Sequence, residues 1–273
     1  MRRIKFYLAA AALSIFLISC SSVPITGRKQ LNLIPSSTML SMSSSQYSDF
    51  LNTNKLSNNK QEVAMVERVG TRIQHAVEKY FAEKNMSDQL NGYNWEFHLV
   101  VDSEANAWCM PGGKVVVYTG ILPIAKDENG LAVVLGHEIS HAVAKHGDER
   151  MSQSLLTELG GMALSEAIKN KPQQTQQLWM TAFGVGAQYG ILLPYSRTQE
   201  SEADHLGLIF MAIAGYDPHE ALTFWQRMEQ ASKGQSIPEF LSDHPADQTR
   251  IDDIKKELPG AMNYYNKYNG SNK

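Results

Sequence analysis

Apolar residues change their spacing several times along the chain, and each change marks an element. In a Ser- and Asn-rich stretch (36–60), Met39, Leu40, Ser43, Tyr47, Phe50 and Leu51 recur three to four residues apart. That period predicts a short amphipathic helix packed on the domain rather than a solvated tether. Residues 52–59 interrupt it, and 62–83 predict a second helix with Val66, Val69, Ile73, Val77 and Tyr80 on one face and His75 at the surface. From Tyr93 the period falls to two, because Trp95, Phe97, Leu99 and Val101 alternate with Glu96, His98 and Val100, which predicts a strand. Residues 106–110 and 114–119 flank Pro111-Gly112-Gly113 and read as a hairpin. An exposed edge of this sheet at Asn106, Ala107, Trp108 and Cys109 could bind an extended peptide by strand addition. A sheet that serves only as a core wall is the competing reading.

An apolar helix follows, with Leu131-Ala132-Val133-Val134-Leu135-Gly136 on one side and Ala142-Val143-Ala144 on the other of His137-Glu138-Ile139-Ser140-His141. Asp127 or Asn129 marks its start, and Gly147 lies past its end. Residues four apart on a helix lie one above the other, so His137 and His141 can bind one ion. Glu138 projects beside them, where a general base belongs. The five-residue pattern alone is only suggestive. The apolar context strengthens it, since two histidines in such a helix are costly to bury without partners, which a metal supplies.

Catalytic zinc takes three protein ligands, so a third is required. A histidine six residues beyond His141 is excluded because position 147 is Gly, and His146 reads as a capping or surface residue. Ser196-Arg197-Thr198-Gln199-Glu200-Ser201-Glu202-Ala203-Asp204 offers an acid instead. Glu200 and Asp204 share one face of a helix that continues through Leu206, Ile209, Phe210 and Ile213 to Gly215. Glu200 is thereby favoured over the chain's other acids as the ligand. Asp204 can accept a hydrogen bond from the far nitrogen of a ligand histidine, and Glu202, off that face, reads as a solvated charge. Between the two motifs lie helical stretches at 151–170 and 175–193. The second carries Gly184, Gly186 and Gly190 and reads as a close-packed helix rather than one that dips into a membrane. No internal repeat is present, and no tetratricopeptide array is expected.

Composition adds little chemistry but sets the compartment. A net charge of −3 and a pI near 6.2, without a basic cluster beyond the first residues, give no support for nucleic-acid binding. Arg2, Arg3 and Lys5 precede an apolar run (6–18) that fits a cleaved export signal. Leu17-Ile18-Ser19-Cys20 resembles the bacterial lipobox, which implies cleavage before Cys20 and a lipid on its thiol. Cys109, the other cysteine, is then left without a disulfide partner and reads as a small packed hydrophobe. An acyl anchor would hold the protein at a membrane. The absence of Asp after Cys20 favours the outer membrane, facing the periplasm.

The ordered set of motifs resembles a gluzincin metallopeptidase of the family that contains the HtpX and CAAX prenyl endopeptidases, and within it the exported lipoprotein branch of the LoiP and BepA kind. The matching pieces are Val23-Pro24-Ile25-Thr26-Gly27-Arg28-Lys29-Gln30-Leu31, Asn106-Ala107, Pro111-Gly112-Gly113, the His137 to His141 motif, Leu193-Pro194-Tyr195-Ser196-Arg197 with Glu200 and Ala203-Asp204, Gly215-Tyr216-Asp217-Pro218, and His244-Pro245 with Arg250. The resemblance implies an α+β, mainly helical zincin-like fold with a small sheet on the motif helix. It implies one zinc per chain on His137, His141 and Glu200, with Glu138 as general base.

It also reverses the reading of His244. By residue type alone His244 is a surface histidine at a helix start near Pro245, whereas the resemblance implies a catalytic His244 that faces the metal, either stabilising the oxyanion or occupying the open coordination position in a resting form, with Arg250 supporting it or pairing with an acid of the site. His205 and His219 stay structural or solvated. The expected organisation is a signal (1–19), a lipidated tether with a short helix (20–58), a metallopeptidase domain (59–262) and a polar tail (263–273). The expected substrates are misfolded or misassembled envelope proteins, and envelope assembly machinery is a possible partner. A zinc-bound chaperone or assembly factor with little proteolysis is the rival reading.

Overall fold

The computed structural model describes residues 20–23, 25–188, 193–232, 238–245 and 248–270. The export signal at 1–19, the side chain of Cys20, and Pro24 and Gly190 of the motifs above lie outside them. In chain order the strands are β1 (Cys20–Ser22), β2 (Lys29–Leu31), β3 (Glu96–Val100), β4 (Ala107–Met110) and β5 (Lys114–Tyr118). The helices are α1 (Ser36–Thr53), α2 (Lys60–Glu83), α3 (Leu122–Ala125), α4 (Glu128–Val143), α5 (His146–Ile168), α6 (Gln173–Ala187), α7 (Leu193–Ile213), α8 (Glu220–Ser232), α9 (Glu239–Asp243) and α10 (Gln248–Asn269). The fold is the expected mainly helical α+β, and the chain divides into two units, 1–39 with 145–197 and 40–144 with 198–273.

The second unit is built on a three-stranded sheet of order β3-β5-β4. β3 runs parallel to β5, and β4 runs antiparallel to it with Met110 opposite Lys114. The expected turn joins β4 to β5 and needs glycine, because Gly112 and Gly113 take φ of 87° and 79°. β5 is central and covered on both faces, so Val115, Val116 and Val117 are all fully buried. Tyr47 of α1 closes one face with Val100 and Val116, joined by Phe50, Trp108 and Tyr118. α2 packs on β3, and α4 packs on β4. β3 and β4 are the two edge strands of this sheet.

α2 starts at Lys60, two residues before the expected 62, with the Asn59 side chain accepting from the Gln61 and Glu62 N–H groups. α7 stops at Gly215, whose φ of 85° ends the helix without strain. Gly147 is not the stop for α4. That helix ends at Val143, the chain turns at Lys145 with a φ of 59°, and Gly147 falls in the first turn of α5. The final helix runs through Asn269, where the Asn269 amide donates to the Ala212 carbonyl at 2.9 Å, so the helix passes the tail boundary expected at 262.

The first unit contains the antiparallel pair β1–β2 and the helices α5 and α6. The Arg28 guanidinium donates to both Glu149 carboxylate oxygens, at 2.9 and 2.8 Å, and the Leu33 N–H donates to Ser152 Oγ at 2.9 Å. These bonds tie the N-terminal strands to the start of α5. α6 packs on α5 with Phe183 beside Gly160 and Gly161. The expectation of a close-packed second helix is corrected here, because Leu178, Trp179 and Val185 are 69%, 55% and 53% exposed. Within this unit α6 packs on α5. Among the described residues no helix is long and apolar enough to cross a membrane.

Candidate metal centre

Asp127 caps α4, its carboxylate accepting from the Asn129 and Gly130 N–H groups at 2.8 and 3.2 Å. Every residue from Gly130 to Val143 is buried, so the helix has no polar stripe for solvent. His137, Glu138 and His141 are therefore inside, and the two imidazole rings lie 4.6 Å apart. α7 crosses α4 where both helices carry glycine. A Cβ on Gly136 would sit 3.0 Å from the Gly207 carbonyl oxygen. Close backbone approach brings the Glu200 face of α7 over the histidine pair.

The ligand atoms of His137, His141, Glu200 and His244 all lie within 4.8 Å of one another. His137 Nε2 is 3.3 Å from Glu200 Oε2, His141 Nε2 is 3.3 Å from Glu200 Oε1, and the two Nε2 atoms are 3.0 Å apart. A tetrahedral ion with bonds of about 2.0–2.1 Å holds its ligands roughly 3.3–3.4 Å apart. The donor set thus has the size of a zinc sphere, and it offers the nitrogen and oxygen atoms that zinc takes. Asp204 Oδ1 lies 2.9 Å from His137 Nδ1 and accepts a hydrogen bond from it in the Nδ1–H tautomer, in which Nε2 keeps a lone pair toward the cluster.

Arg250 completes this support. Its Nε and Nη2 donate to the two Asp204 oxygens at 2.7 Å each, and its Nη1 donates to the Pro245 carbonyl at 3.2 Å. His244 follows α9, with its N–H donating to the Phe240 carbonyl at 2.9 Å. Its Nδ1 reaches Glu200 Oε2 at 2.8 Å, and its Nε2 lies 3.4 Å from Glu138 Oε1. The helix after it begins at Gln248 rather than at Pro245.

Electrostatics follow from burial opposed by partners. Burial pushes the Glu200 carboxyl up, but hydrogen bonds from His137, His141 and His244 outweigh it and hold the group far below the ordinary carboxylate range. Burial likewise raises Asp204, and the Arg250 charge with the His137 bond brings it below its ordinary value. Burial opposes charging of His137, yet Asp204 and Glu200 carry its pKa above the usual imidazole value. Protons and a metal compete for these nitrogens, so loading depends on pH.

The other candidates divide. Cys109 is half-buried with its thiol pKa pushed well up by burial and by the Glu138 carboxylate, so it is a packed thiol near the base and outside the ligand cluster. Asn106 and Ala107 are buried, and the Trp108 ring packs on Tyr47 and Phe50. What β4 can offer a peptide is its backbone edge. His205 pairs with Glu257 and His219 with Asp217, both at 2.8 Å and away from the cluster. Two expectations are corrected. His146 is fully buried rather than at the surface, and Glu202 is 6% exposed rather than solvated, because α7 is covered there on the Gln199 and Ala203 side as well.

Sequence reasoning passed over Trp225 and Phe240. The Trp225 ring centroid lies 3.5 Å from Arg250 Cζ, and Trp225 and Phe240 stack at 5.8 Å. Phe240 in turn lies 4.7 Å from the His244 ring. The available signal was Phe240 four residues before His244, which is one helical turn.

A buried histidine pair on one helix, a carboxylate on a second and a glutamate beside the pair define a zinc metallopeptidase site of the gluzincin type. The model of Peptidase family M48 matches residues 67–258, and the chain belongs to that family. It is 36% identical over 192 residues to the mitochondrial metalloendopeptidase OMA1 of Schizosaccharomyces pombe, a match over 70% of this chain and 53% of that protein. The human mitochondrial metalloendopeptidase OMA1 is 31% identical over 246 residues, 88% of this chain and 46% of its own length. The beta-barrel assembly-enhancing protease of Escherichia coli K12 is 28% identical over 166 residues, 59% of this chain and 34% of its own length. The chain spans about half the length of the OMA1 proteins it matches. Identity to these two OMA1 proteins exceeds that to the Escherichia coli assembly-enhancing protease, so the exported lipoprotein branch is not singled out.

Proposed function

We propose that this chain is a zinc-dependent endopeptidase that cleaves misfolded or misassembled proteins of the cell envelope. The observation that carries the reading is Glu138, buried beside a zinc-sized donor set with its carboxylate at the cluster. His137, His141 and Glu200 would hold the ion, with Asp204 and Arg250 fixing His137. Zinc in that place supplies a Lewis acid for the scissile carbonyl and makes water acidic near neutral pH.

The residues then divide the work. Glu138 takes the proton of the attacking water and delivers it to the leaving amine. The backbone edge of β4, near Asn106 to Cys109, pairs with extended substrate and orients its carbonyl. His244, within hydrogen-bond reach of Glu200 and next to Glu138, caps the cluster at rest and moves when substrate enters. Its replacement by Ala then raises activity, and a fall would assign it to the substrate carbonyl instead.

The compartment rests on sequence. In this reading 1–19 is an export signal, Cys20 carries lipid, 20–58 is a tether with a short helix, 59–262 is the metallopeptidase domain, and the polar stretch 263–273 continues from its last helix. The protein sits on the outer membrane facing the periplasm. Likeness to a protease named for β-barrel assembly supports an envelope role and assembly machinery as a partner.

The deciding experiment is zinc analysis of the purified mature protein joined to cleavage of a casein-type reporter, with and without chelator. Glu138→Gln is expected to keep one zinc and to lose cleavage by about 10²–10⁴-fold. A wild-type protein with neither zinc nor activity overturns the proposal. If the Gln variant sustains envelope function undiminished, the chaperone reading takes its place.

A further inference from the structure

We infer that Trp225 is a positioning residue that sets zinc affinity by holding the Arg250 guanidinium against Asp204 and away from Glu200. This rests on the ligand assignment above. Trp225 lies on α8, is 1% exposed, and belongs to neither metal-binding helix.

Arg250 needs such a device. Its guanidinium is buried and forks onto Asp204, but its Nη1 also stands 3.4 Å from Glu200 Oε2. A cation that slides onto Glu200 neutralises a ligand carboxylate and competes with the metal for it. The two bonds to Asp204 and the Nη1 bond to the Pro245 carbonyl hold the guanidinium by its N–H groups. Trp225 adds a contact on its face, because the ring centroid lies 3.5 Å from Arg250 Cζ. Cation–π attraction is strongest for Trp and is largest when, as here, water is excluded.

The same ring reaches the site by two further contacts. Its centroid is 5.9 Å from that of His137, crossed at 76°, and it stacks on Phe240 at 26°, with Phe240 at 4.7 Å from His244. One side chain therefore braces both the support of a ligand histidine and the loop that carries His244. An aliphatic side chain there would supply no face for a cation.

The test is the zinc dissociation constant of the full mature protein, measured by competition with a chromophoric chelator at fixed pH. Folding is checked by circular dichroism, and the site by the visible spectrum of the cobalt(II) form. Trp225→Leu is expected to weaken zinc about tenfold or more, in the range found for residues that orient metal ligands, and to shift the cobalt bands. Trp225→Phe, which keeps a weaker aromatic face, should lose about threefold. In an Arg250→Met background the Leu change should cost less than about threefold, since the cation it restrains is gone.

An unchanged zinc constant in Trp225→Leu overturns the proposal, as does an equal loss with and without Arg250. Should the Leu variant fail to fold, Trp225→Phe decides in the same two backgrounds by the same comparison. Wild-type protein that binds no zinc would sink the ligand assignment instead, a result distinct from zinc binding that ignores Trp225.

Discussion

Replacing Asp204 by Asn changes one atom and should disturb two quantities by separable amounts. Asp204 accepts from Arg250 Nε and Nη2 at 2.7 Å each and from His137 Nδ1 at 2.9 Å. An amide has a single acceptor oxygen. Its best placement keeps the oxygen between Nη2 and His137 and turns the amide nitrogen toward Nε, donor against donor. One charge-assisted bond is lost, about 1.5–3 kcal/mol, and a buried guanidinium loses its counter-charge, which brings the total to about 3–5 kcal/mol. For a domain of this size that lowers the melting temperature by on the order of ten degrees. Arg250 can recover part of this by moving onto Glu200, 3.4 Å away, but only by taking charge from a ligand. Zinc affinity should therefore fall by about 10–100-fold. Differential scanning calorimetry of the metal-free protein and chelator competition read the two effects independently. An Asn variant that melts within about two degrees of the wild type and binds zinc within about twofold would refute the idea that this fork holds the site.

Gly136→Ala places a Cβ 3.0 Å from the Gly207 carbonyl oxygen, so α4 and α7 must part slightly. A loss of about 1–3 kcal/mol in urea denaturation is expected, and an unchanged midpoint would mean that the helices are not in contact there. Arg68 hydrogen bonds hold the Glu128 carboxyl below its ordinary pKa. The stability this lends is present above the unfolded value of about 4.3 and is lost as pH falls through the lower folded value. Glu128→Gln should accordingly lower the melting temperature near neutral pH and flatten its decline in acid; parallel curves for the two proteins would contradict this. Saturating zinc at about 1,000 times its dissociation constant should add about 4 kcal/mol of stability, removable by chelator. That increment should persist in Glu138→Gln and vanish in His137→Ala, as thermal scans with and without zinc would record.

Where a sequence carried its own boundary chemistry, it could be read directly. Asp127 caps α4, Pro111-Gly112-Gly113 turns the hairpin, and Gly215 stops α7, each by an interaction within a few residues. Glu200 and Asp204 were legible because a four-residue spacing places both on one helical face. What escaped depends on neighbours distant in sequence. His146 and Glu202 look polar and exposed until the elements that cover them are known. The apolar run of α6 reads as buried, yet whether Leu178 and Trp179 are covered depends on what packs beside them. Trp225 looks like any core aromatic until Arg250, 25 residues further on, is seen to lie on its face.

The glycine-to-glycine contact between α4 and α7 has a consequence for the order of events in the cell. Main chain rather than the metal sets the spacing between the histidine pair and Glu200. The cradle can then be complete before any ion arrives, unlike small metal domains that collapse without one. Such a chain can fold first, acquire its ion afterwards and exchange it without refolding.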